Sequence, residues 1–202
     1  MTILNWHCSK TSAIVLADTM GKFPDGKLSP ISKVLYLPHS NLVVGGRGIS
    51  ELQQHVGNKL SWAAQDYDEA LTILPTVIAE VVTQFRQLPA WQDNEHLRAE
   101  PTAVVVIGYS QKDSRFRATF AKADSLESPF SFRVEDSCTA PPQDDTGSPP
   151  EVNGDTPSKM LSIARRQYAR ASEKYPGESF GGQFIVAEMT VNGTRFSRRP
   201  IA

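Results

Sequence analysis

The chain has 202 residues, of which 40% are hydrophobic and 21% charged, and its formal net charge is −1 at pH 7. This balance is typical of a globular protein that can bury a full core, and the length suits one domain. A net charge near zero argues against a protein that binds nucleic acid or an anionic membrane through a strongly basic surface.

Cysteine usage and the absence of targeting segments predict a cytoplasmic protein. Cys8 and Cys138 lie far apart and in no metal-ligand spacing, so we expect reduced thiols, with one intramolecular disulfide as the alternative. The N-terminus has no basic stretch followed by an apolar run, so no secretory signal is predicted. The longest apolar stretches, such as Ala13–Ala17 and Ala103–Gly108, are too short to cross a bilayer.

Short apolar and β-branched runs dominate the first fifty residues. Two of them flank the turn-like Cys8-Ser9-Lys10 and two more flank Pro38-His39-Ser40, which predicts two β-hairpins. Glycines that follow the fourth run break the strand pattern. The predicted strands are Thr2–His7, Ser12–Asp18, Lys33–Leu37 and Asn41–Val44.

The middle of the chain has helical periodicity. Apolar residues recur at helical spacing in Ile49–Leu60 and in Glu69–Leu88, which predicts two consecutive α-helices. Pro75 lies early in the second pattern, where it either occupies the first turn or kinks the helix.

The second half of the chain returns to strand patterns around one more helix. Ser137–Asp155 is rich in proline, acidic and small residues, so we predict a long exposed loop there. Pro157–Tyr175 is predicted as a helix, and Asn192-Gly193 is typical of a type I′ hairpin turn. The remaining predicted strands are Thr102–Tyr109, Arg115–Lys122, Phe130–Val134, Gln183–Val191 and Thr194–Ser197.

This order of elements indicates the fold class. Strands and helices occur in blocks rather than in strict alternation, which favours an α+β fold over a doubly wound parallel sheet. Two mostly antiparallel sheets stacked with helices outside them accommodate the order. We see no internal repeat and no linker between two cores, so we expect one domain over residues 1–202.

The second residue is a candidate nucleophile. Thr2 follows Met1, and its small side chain makes Met1 a substrate for methionine aminopeptidase. Removal of Met1 leaves a threonine that has a free α-amine beside its hydroxyl. Because this amine has an ordinary pKa near 8, it can take the hydroxyl proton directly or through one water.

Three further features follow Thr2 at set distances. Asp18 ends the second predicted strand, Lys33 opens the third, and Gly45-Gly46-Arg47-Gly48 follows the fourth. An ammonium beside the threonine hydroxyl lowers its pKa, and a carboxylate fixes that ammonium by a charge-assisted hydrogen bond. A glycine at a strand end lets a backbone N–H stabilise a tetrahedral oxyanion, and Gly45 and Gly46 are both candidates.

This ordered set resembles the proteasome β-type subunits, which are N-terminal-nucleophile hydrolases. Its N-terminal half is especially similar to the peptidase subunit of the bacterial two-component ATP-dependent protease. In that family an aspartate ends strand two sixteen residues after the mature threonine, as Asp18 does after Thr2. Lys33 lies one residue closer to Asp18 than is usual in the family, which indicates a one-residue deletion within Thr19–Ser32.

The resemblance implies a four-layer αββα sandwich, in which two antiparallel sheets lie between helices, and a threonine-type peptidase or amidohydrolase. Thr2 would attack the scissile carbonyl and form an ester that water hydrolyses, with its own α-amine as the general base. Lys33 would set the electrostatics, Asp18 would hold Lys33, and Gly45 or Gly46 would lend the oxyanion N–H. This chemistry needs no metal and no organic cofactor.

The C-terminal part departs from the family pattern. Aligned on Gly181-Gly182, Gly177 stands where the family has an aspartate and Phe180 where it has a serine. Because the missing groups normally orient the threonine amine, two alternatives stay open: a ring-forming homologue that has lost efficient hydrolysis, and a small-molecule amidase that uses the same Thr2. Secondary site candidates are Glu178 and Ser179, which lie next to the missing positions, and Ser137, the serine nearest to where the family has a Gly-Ser-Gly turn.

Proteins of this family assemble into stacked rings, so the resemblance implies a homo-oligomeric double ring with six- or seven-fold symmetry. An ATPase unfoldase of unknown identity is a further implied partner. The first predicted helix and the residues after it have more apolar side chains than one face of a short helix needs, so we expect some of them to pack against a neighbouring subunit. These residues are Leu52, Val56, Leu60 and Trp62.

Other chemistry finds little support in the sequence. The glycine-rich turn lacks the Gly-Lys-Ser/Thr ending of a phosphate-binding loop. The four histidines are scattered over different predicted elements without metal-ligand spacing, so no metal site is predicted. They are His7, His39, His55 and His96.

Overall fold

The structure is a computed structural model that describes residues 2–22, 27–140, 157–174 and 181–201. Within these ranges the chain forms twelve strands and five helices. The strands are β1 (Leu4–Cys8), β2 (Ser12–Asp18), β3 (Met20–Lys22), β4 (Leu28–Pro30), β5 (Val34–Leu37), β6 (Leu42–Arg47), β7 (Thr102–Ser110), β8 (Arg115–Ala123), β9 (Ser131–Val134), β10 (Ser137–Ala140), β11 (Gln183–Thr190) and β12 (Gly193–Pro200). The helices are α1 (Ser50–Ala63), α2 (Tyr67–Arg86), α3 (Pro89–Gln92), α4 (Glu95–Ala99) and α5 (Pro157–Lys174).

Two five-stranded sheets form the framework. Sheet I has the strand order β10-β1-β2-β11-β12, and sheet II has the order β5-β6-β7-β8-β9. Neighbouring strands in both sheets are antiparallel, and β3 and β4 form a separate two-stranded antiparallel ribbon. This mixed organisation of helices and antiparallel sheets confirms the coarse fold class predicted from the blocks of strands and helices.

Three apolar clusters hold these elements together. One cluster joins α1 and α2 to a face of sheet II, the second joins the other face of sheet II to sheet I, and the third joins sheet I to α5. The alternation of side chains along β2 shows why both faces of sheet I are buried: Val15 belongs to the second cluster and Leu16 to the third. Across the two sheets, the rings of Trp6 and Phe120 pack with their centroids 5.3 Å apart.

The predicted helices are confirmed, with shifted ends. Helix α2 begins at Tyr67, two residues before the predicted start, because the side chain of Asp66 accepts a hydrogen bond from the Glu69 N–H and caps the helix. As a result Pro75 lies in the interior of α2 and not in its first turn.

The apolar residues of α1 serve the chain's own core more fully than expected. Leu52, Val56 and Leu60 are each 0% exposed and belong to the cluster with sheet II. Trp62 is the exception among the four residues considered, since it is 89% exposed. It is therefore the member of this group that the chain's own core does not use.

The predicted loop Ser137–Asp155 is wrong over its first four residues. Ser137–Ala140 forms β10 and pairs antiparallel with β1, with Cys138 opposite Trp6. The prolines that suggested a loop begin only at Pro141, so the backbone N–H groups of β10 are free to satisfy the edge of β1. Residues 141–155 lie outside the described part of the chain.

The closing hairpin is confirmed, but its turn differs from the prediction. In the β11–β12 register Thr190 pairs with Gly193, so Val191 and Asn192 form the connection. A type I′ turn needs a positive φ at both central residues, and Asn192 is not among the residues with positive φ, whereas Gly193 has φ +135°. The type I′ prediction is therefore wrong, because the glycine follows the turn instead of forming its centre.

The ribbon β3–β4 and the short helices α3 and α4 were not predicted, because segments of three to five residues are too short to show periodicity. Within the described ranges, no helix has the length and apolar character needed to cross a lipid bilayer.

The start of α2 is tied to β8 by one buried hydrogen bond, which yields a stability prediction. The Tyr67 and Thr119 hydroxyl oxygens lie 2.6 Å apart, and both residues are buried. We expect Tyr67→Phe to lower the free energy of unfolding by about 1–3 kcal/mol, because the Thr119 hydroxyl loses this partner. The double variant Tyr67→Phe/Thr119→Val should lose less than the sum of the two single variants.

Urea denaturation of the wild type, the two single variants and the double variant measures this coupling. Tyr109→Phe is the matched control, because Tyr109 is half-buried and its ring contact with Phe116 survives the change; it should stay within about 0.5 kcal/mol of the wild type. Strict additivity of the two single variants would contradict the proposed coupling.

Candidate active site

A single buried carboxylate organises the candidate site. Asp18 stands at the end of β2, in the middle of sheet I, and is 0% exposed. The ammonium Nζ of Lys33 donates to both of its oxygens at 2.9 Å. Backbone N–H groups add two more bonds, from Ile3 to Oδ1 at 2.9 Å and from Gly181 to Oδ2 at 3.3 Å. Asp18 therefore joins three segments that are distant in sequence.

Two hydrogen bonds between Ile3 and Asp18 hold Thr2 at this point. The N–H that Ile3 donates to Asp18 belongs to the Thr2–Ile3 peptide, and the Ile3 carbonyl accepts the Asp18 N–H at 3.2 Å. Thr2 itself is 5% exposed and lies just before β1, which begins at Leu4 and not at Thr2 as predicted. Because Leu4 and Trp6 face sheet II, alternation places the Thr2 side chain on the same face.

Lys33 reaches Asp18 from the segment before β5. It is 4% exposed, and its carbonyl accepts the N–H of Gly46 at 3.1 Å. The preceding carbonyl, of Ser32, accepts the side-chain amide of Gln53 in α1 at 2.8 Å. The backbone on either side of the lysine is thus anchored to sheet II and to α1, which fixes where the ammonium can reach.

Burial shifts the pKa of each member of this ion pair in the direction that favours its neutral form. Desolvation lowers the pKa of Lys33 below its ordinary range; the charge of Asp18 opposes this shift, and the positive charge of Arg47 reinforces it. Desolvation also raises the pKa of Asp18, against the ammonium of Lys33 and the N–H groups of Ile3 and Gly181. Each charge therefore depends on its partner.

The two glycines proposed as oxyanion donors are engaged in sheet II. The Gly46 N–H donates to the Lys33 carbonyl. Because N–H groups alternate in direction along a strand, the Gly45 N–H faces β7, where Gly45 pairs with Val105. Gly46 also serves packing, since a Cβ there would lie 2.6 Å from the Cβ of Gln53.

Gly48, unlike Gly45 and Gly46, has a backbone N–H that is not engaged in sheet II. The carbonyl of Arg47 accepts the Thr102 hydroxyl at 3.1 Å and so points toward β7. In a trans peptide the next N–H points the opposite way, so the Gly48 N–H is directed to the side on which Lys33 lies. Gly48 is exposed, and its N–H has no acceptor within the described residues.

Glycine is required at position 48 for two reasons. Its φ of +78° is in the left-handed region, and a Cβ would lie 2.4 Å from the Pro101 carbonyl oxygen. The glycine-rich run contained this signal, but only the tertiary contacts of Arg47 and Thr102 distinguish Gly48 from the two glycines before it.

The structure does not bring Ser137 to Thr2. Ser137 lies opposite His7 in the β1–β10 register, and its hydroxyl is 2.5 Å from His7 Nδ1. His7 is five residues after Thr2 on the opposite face of sheet I, roughly 17 Å along the strand. Glu178 and Ser179 lie outside the described residues, although Gly181, which follows them, does contact Asp18.

Within the described residues, the cysteines and the side chains that can bind a metal ion form no second candidate site. Cys8 and Cys138 are both free thiols, so the alternative of a disulfide is not realised. Burial raises the pKa of Cys8 above its usual range and that of Cys138 to about 11, so both stay protonated at neutral pH. Within the described residues, no three His, Cys, Asp or Glu side chains are grouped so as to hold a metal ion.

No protein-family model matches the chain, and no curated protein is significantly similar to it. The functional interpretation therefore depends on the geometry around Asp18 and on the resemblance in the N-terminal motifs.

The buried pair predicts a specific response to substitution and pH. Lys33→Met leaves a buried carboxylate without its ammonium, so we expect a loss of about 3–5 kcal/mol in the free energy of unfolding near pH 7. Adding Asp18→Asn to Lys33→Met should recover much of this loss, because the uncompensated charge is removed.

The pH dependence of Lys33→Met tests the same point by a different route. Burial raises the folded-state pKa of Asp18, and without the ammonium nothing but backbone N–H groups opposes that shift. A raised folded-state pKa gives stability that is present below the ordinary carboxyl pKa near 4 and is lost as the pH rises through the folded-state pKa. Denaturation of Lys33→Met from pH 4 to 8 should therefore show the stability deficit shrinking toward acid; a pH-independent deficit would contradict this account.

Proposed function

We propose that this protein is a threonine-type amidohydrolase, and specifically a peptidase, whose nucleophile is Thr2 after removal of Met1. One observation carries the proposal: a single buried carboxylate, Asp18, binds both the N–H of the Thr2–Ile3 peptide and the ammonium of Lys33. An N-terminal threonine and a lysine are thereby held at the same point, in the sequence order that resembles the proteasome β-type subunits.

Each residue of the site has a separate role in the proposed reaction. The α-amine of Thr2 accepts the proton of its hydroxyl as Oγ1 bonds to the substrate carbonyl carbon. The Lys33 ammonium favours the developing alkoxide, and Asp18 holds the ammonium in place. The resulting oxyanion accepts the Gly48 N–H, which is the donor that the geometry favours over Gly45 and Gly46.

Collapse of the tetrahedral intermediate breaks the amide bond. The leaving amine takes the proton that the α-amine of Thr2 had accepted, and the acyl group stays on Oγ1 as an ester. Water then attacks the ester, passes a proton to the α-amine and releases the acid, which restores the Thr2 hydroxyl. Every proton in this cycle is carried by groups of Thr2, water or substrate.

We also propose that the fold is the four-layer αββα sandwich of the N-terminal-nucleophile hydrolases. The order of the three apolar clusters supports it, because they connect α5 to sheet I, sheet I to sheet II, and sheet II to α1 and α2. Thr2, Lys33 and Asp18 then lie at one edge of the space between the sheets.

Replacing the nucleophile tests the proposed chemistry. With fluorogenic peptide amides, Thr2→Ala should lose hydrolysis by at least about a thousandfold, because no hydroxyl remains to form the ester. Thr2→Ser should retain measurable activity, since it keeps both the hydroxyl and the α-amine. Circular dichroism should show both variants folded, because Thr2 lies outside β1.

Intact mass spectrometry completes the test. Wild-type protein from a bacterial host should lack Met1 and should gain one adduct with an electrophile that requires both an amine and a neighbouring hydroxyl. Unchanged hydrolysis by Thr2→Ala would place the site elsewhere. Absence of hydrolysis and of adduct from protein that has lost Met1 would favour the ring-forming homologue without catalytic activity.

We further propose that the chain assembles into a ring of identical subunits. The support is the exposure of Trp62 at the end of α1, because a large aromatic side chain in water is typical of interfaces. Heterologous contacts close into a ring only at a fixed rotation.

Light scattering at micromolar concentration tests the assembly. We expect a mass several times that of one 22.2 kDa chain. The variant Trp62→Glu should shift the mass toward that of the single chain. Leu88→Glu, at a residue that is 48% exposed beyond α2, is the control and should leave the mass unchanged. A wild-type mass of one chain would refute the ring and weaken the claim of an enclosed peptidase.

A further inference from the structure

Arg47 is a half-buried cation that the proposed mechanism does not use. It ends β6, one residue before Gly48. Within the part of the chain that the structure describes, its guanidinium forms no ion pair and no hydrogen bond. The neighbouring cation, Lys33, is in contrast fully paired with Asp18.

The side chain of Arg47 projects into the space between the two sheets. At Gly45 a Cβ would approach Leu4 of sheet I to 3.2 Å, whereas at Gly46 it would meet Gln53 of α1. Alternation along β6 then places Arg47 on the same face as Gly45. Its cross-strand partner, Ala103, belongs to the apolar cluster between the sheets, and cross-strand partners share a face.

Arg47 also lies at the same end of this space as Thr2. The Gly46 N–H, one residue earlier, bonds the Lys33 carbonyl, and the ammonium of Lys33 bonds Asp18, which holds the Thr2–Ile3 peptide. The positive charge of Arg47 lowers the pKa of Lys33, so the two cations act on each other. Arg47 is therefore next to Gly48 in sequence and near enough to Lys33, the partner of Asp18, to affect its pKa.

Among the described residues, little negative charge offsets the guanidinium. Glu100 and Cys138 are the groups whose negative charge would raise the pKa of Arg47, against a larger lowering by burial. Glu100 is exposed and forms no ion pair with Arg47 within the described residues, and the Cys138 thiol has a pKa of about 11 and is neutral at pH 7. The guanidinium nitrogens are not among the fully buried atoms that lack a partner, so they reach solvent and an anion from solution can reach them as well. Because burial already weakens their hydration, a carboxylate is a favourable partner there.

We propose that Arg47 binds a carboxylate of the substrate, so that the site selects peptides with an acidic side chain near the bond to be cleaved. A guanidinium is planar and presents paired N–H donors that match the two oxygens of a carboxylate. Because Arg47 adjoins Gly48 and faces the space that the Thr2 side chain also faces, a peptide bound at Thr2 can present a carboxylate to it. The inference deepens the proposed function, because it names the substrate class of the same site.

Binding measurements on a protein that cannot cleave separate recognition from catalysis. In the Thr2→Ala background, fluorescence anisotropy would compare labelled hexapeptides that carry Glu or Gln at each position in turn, at 0.15 M salt. At one position or more we expect the Glu peptide to bind about tenfold more tightly than its Gln counterpart. Adding Arg47→Gln should reduce that ratio to within about twofold, and Arg47→Glu should shift the preference toward a Lys peptide.

Arg195→Gln is the matched control, because Arg195 is exposed on β12, and it should leave the Glu-to-Gln ratio unchanged. The inference is overturned if no position favours Glu, if the preference survives Arg47→Gln, or if Arg47→Gln weakens Glu and Gln peptides equally. The last result would assign Arg47 to general stabilisation of the site.

The two proposals fail in distinguishable ways. Hydrolysis by the wild type without any preference for acidic peptides would leave the threonine peptidase standing and remove the role of Arg47. Acidic-peptide binding that depends on Arg47, in a protein that never hydrolyses them, would keep the anion site and remove the peptidase.

Discussion

The buried carboxylate of Asp18 is the constraint on which the arrangement around Thr2 depends. An isolated carboxylate in this position would be costly by several kcal/mol, and it is tolerated because an ammonium and two backbone N–H groups bind it. These donors come from the segments that precede β1, β5 and β11. The three segments must converge for the carboxylate to be satisfied, so the placement of Thr2 follows from the requirements of one charge.

The two cations near this carboxylate differ in whether they form an ion pair. Lys33 is paired with Asp18, whereas Arg47 has no such partner within the described residues. If burial alone governed the choice of residue at position 47, an apolar side chain would be more favourable between two sheets. Functional sites commonly retain groups that do not favour stability, and an unpaired guanidinium beside a candidate nucleophile is consistent with that trade.

Local patterns explain which predictions succeeded. Helix and hairpin positions were predictable because the apolar repeats that define them lie within one element. Features that depend on a distant partner were not: Ser137–Ala140 becomes a strand because β1 offers it an unpaired edge, and the turn before Gly193 is set by the β11–β12 register. The choice among Gly45, Gly46 and Gly48 likewise depends on where the Arg47 carbonyl points, which Thr102 of β7 decides.

The sequence by itself determined the blocks of strands and helices, the antiparallel hairpins, and the ordered set Thr2, Asp18 and Lys33, because spacing and periodicity are properties of the linear chain. Only the tertiary structure decided that Lys33 and Ile3 meet on the same carboxylate and that Arg47 projects between the sheets. It also decided that the Gly48 N–H points to the side of β6 on which Lys33 lies. These facts depend on how two sheets and α1 pack against one another. Directional hydrogen bonds and the burial of charge, which fix that packing, act between residues that the sequence alone does not bring together.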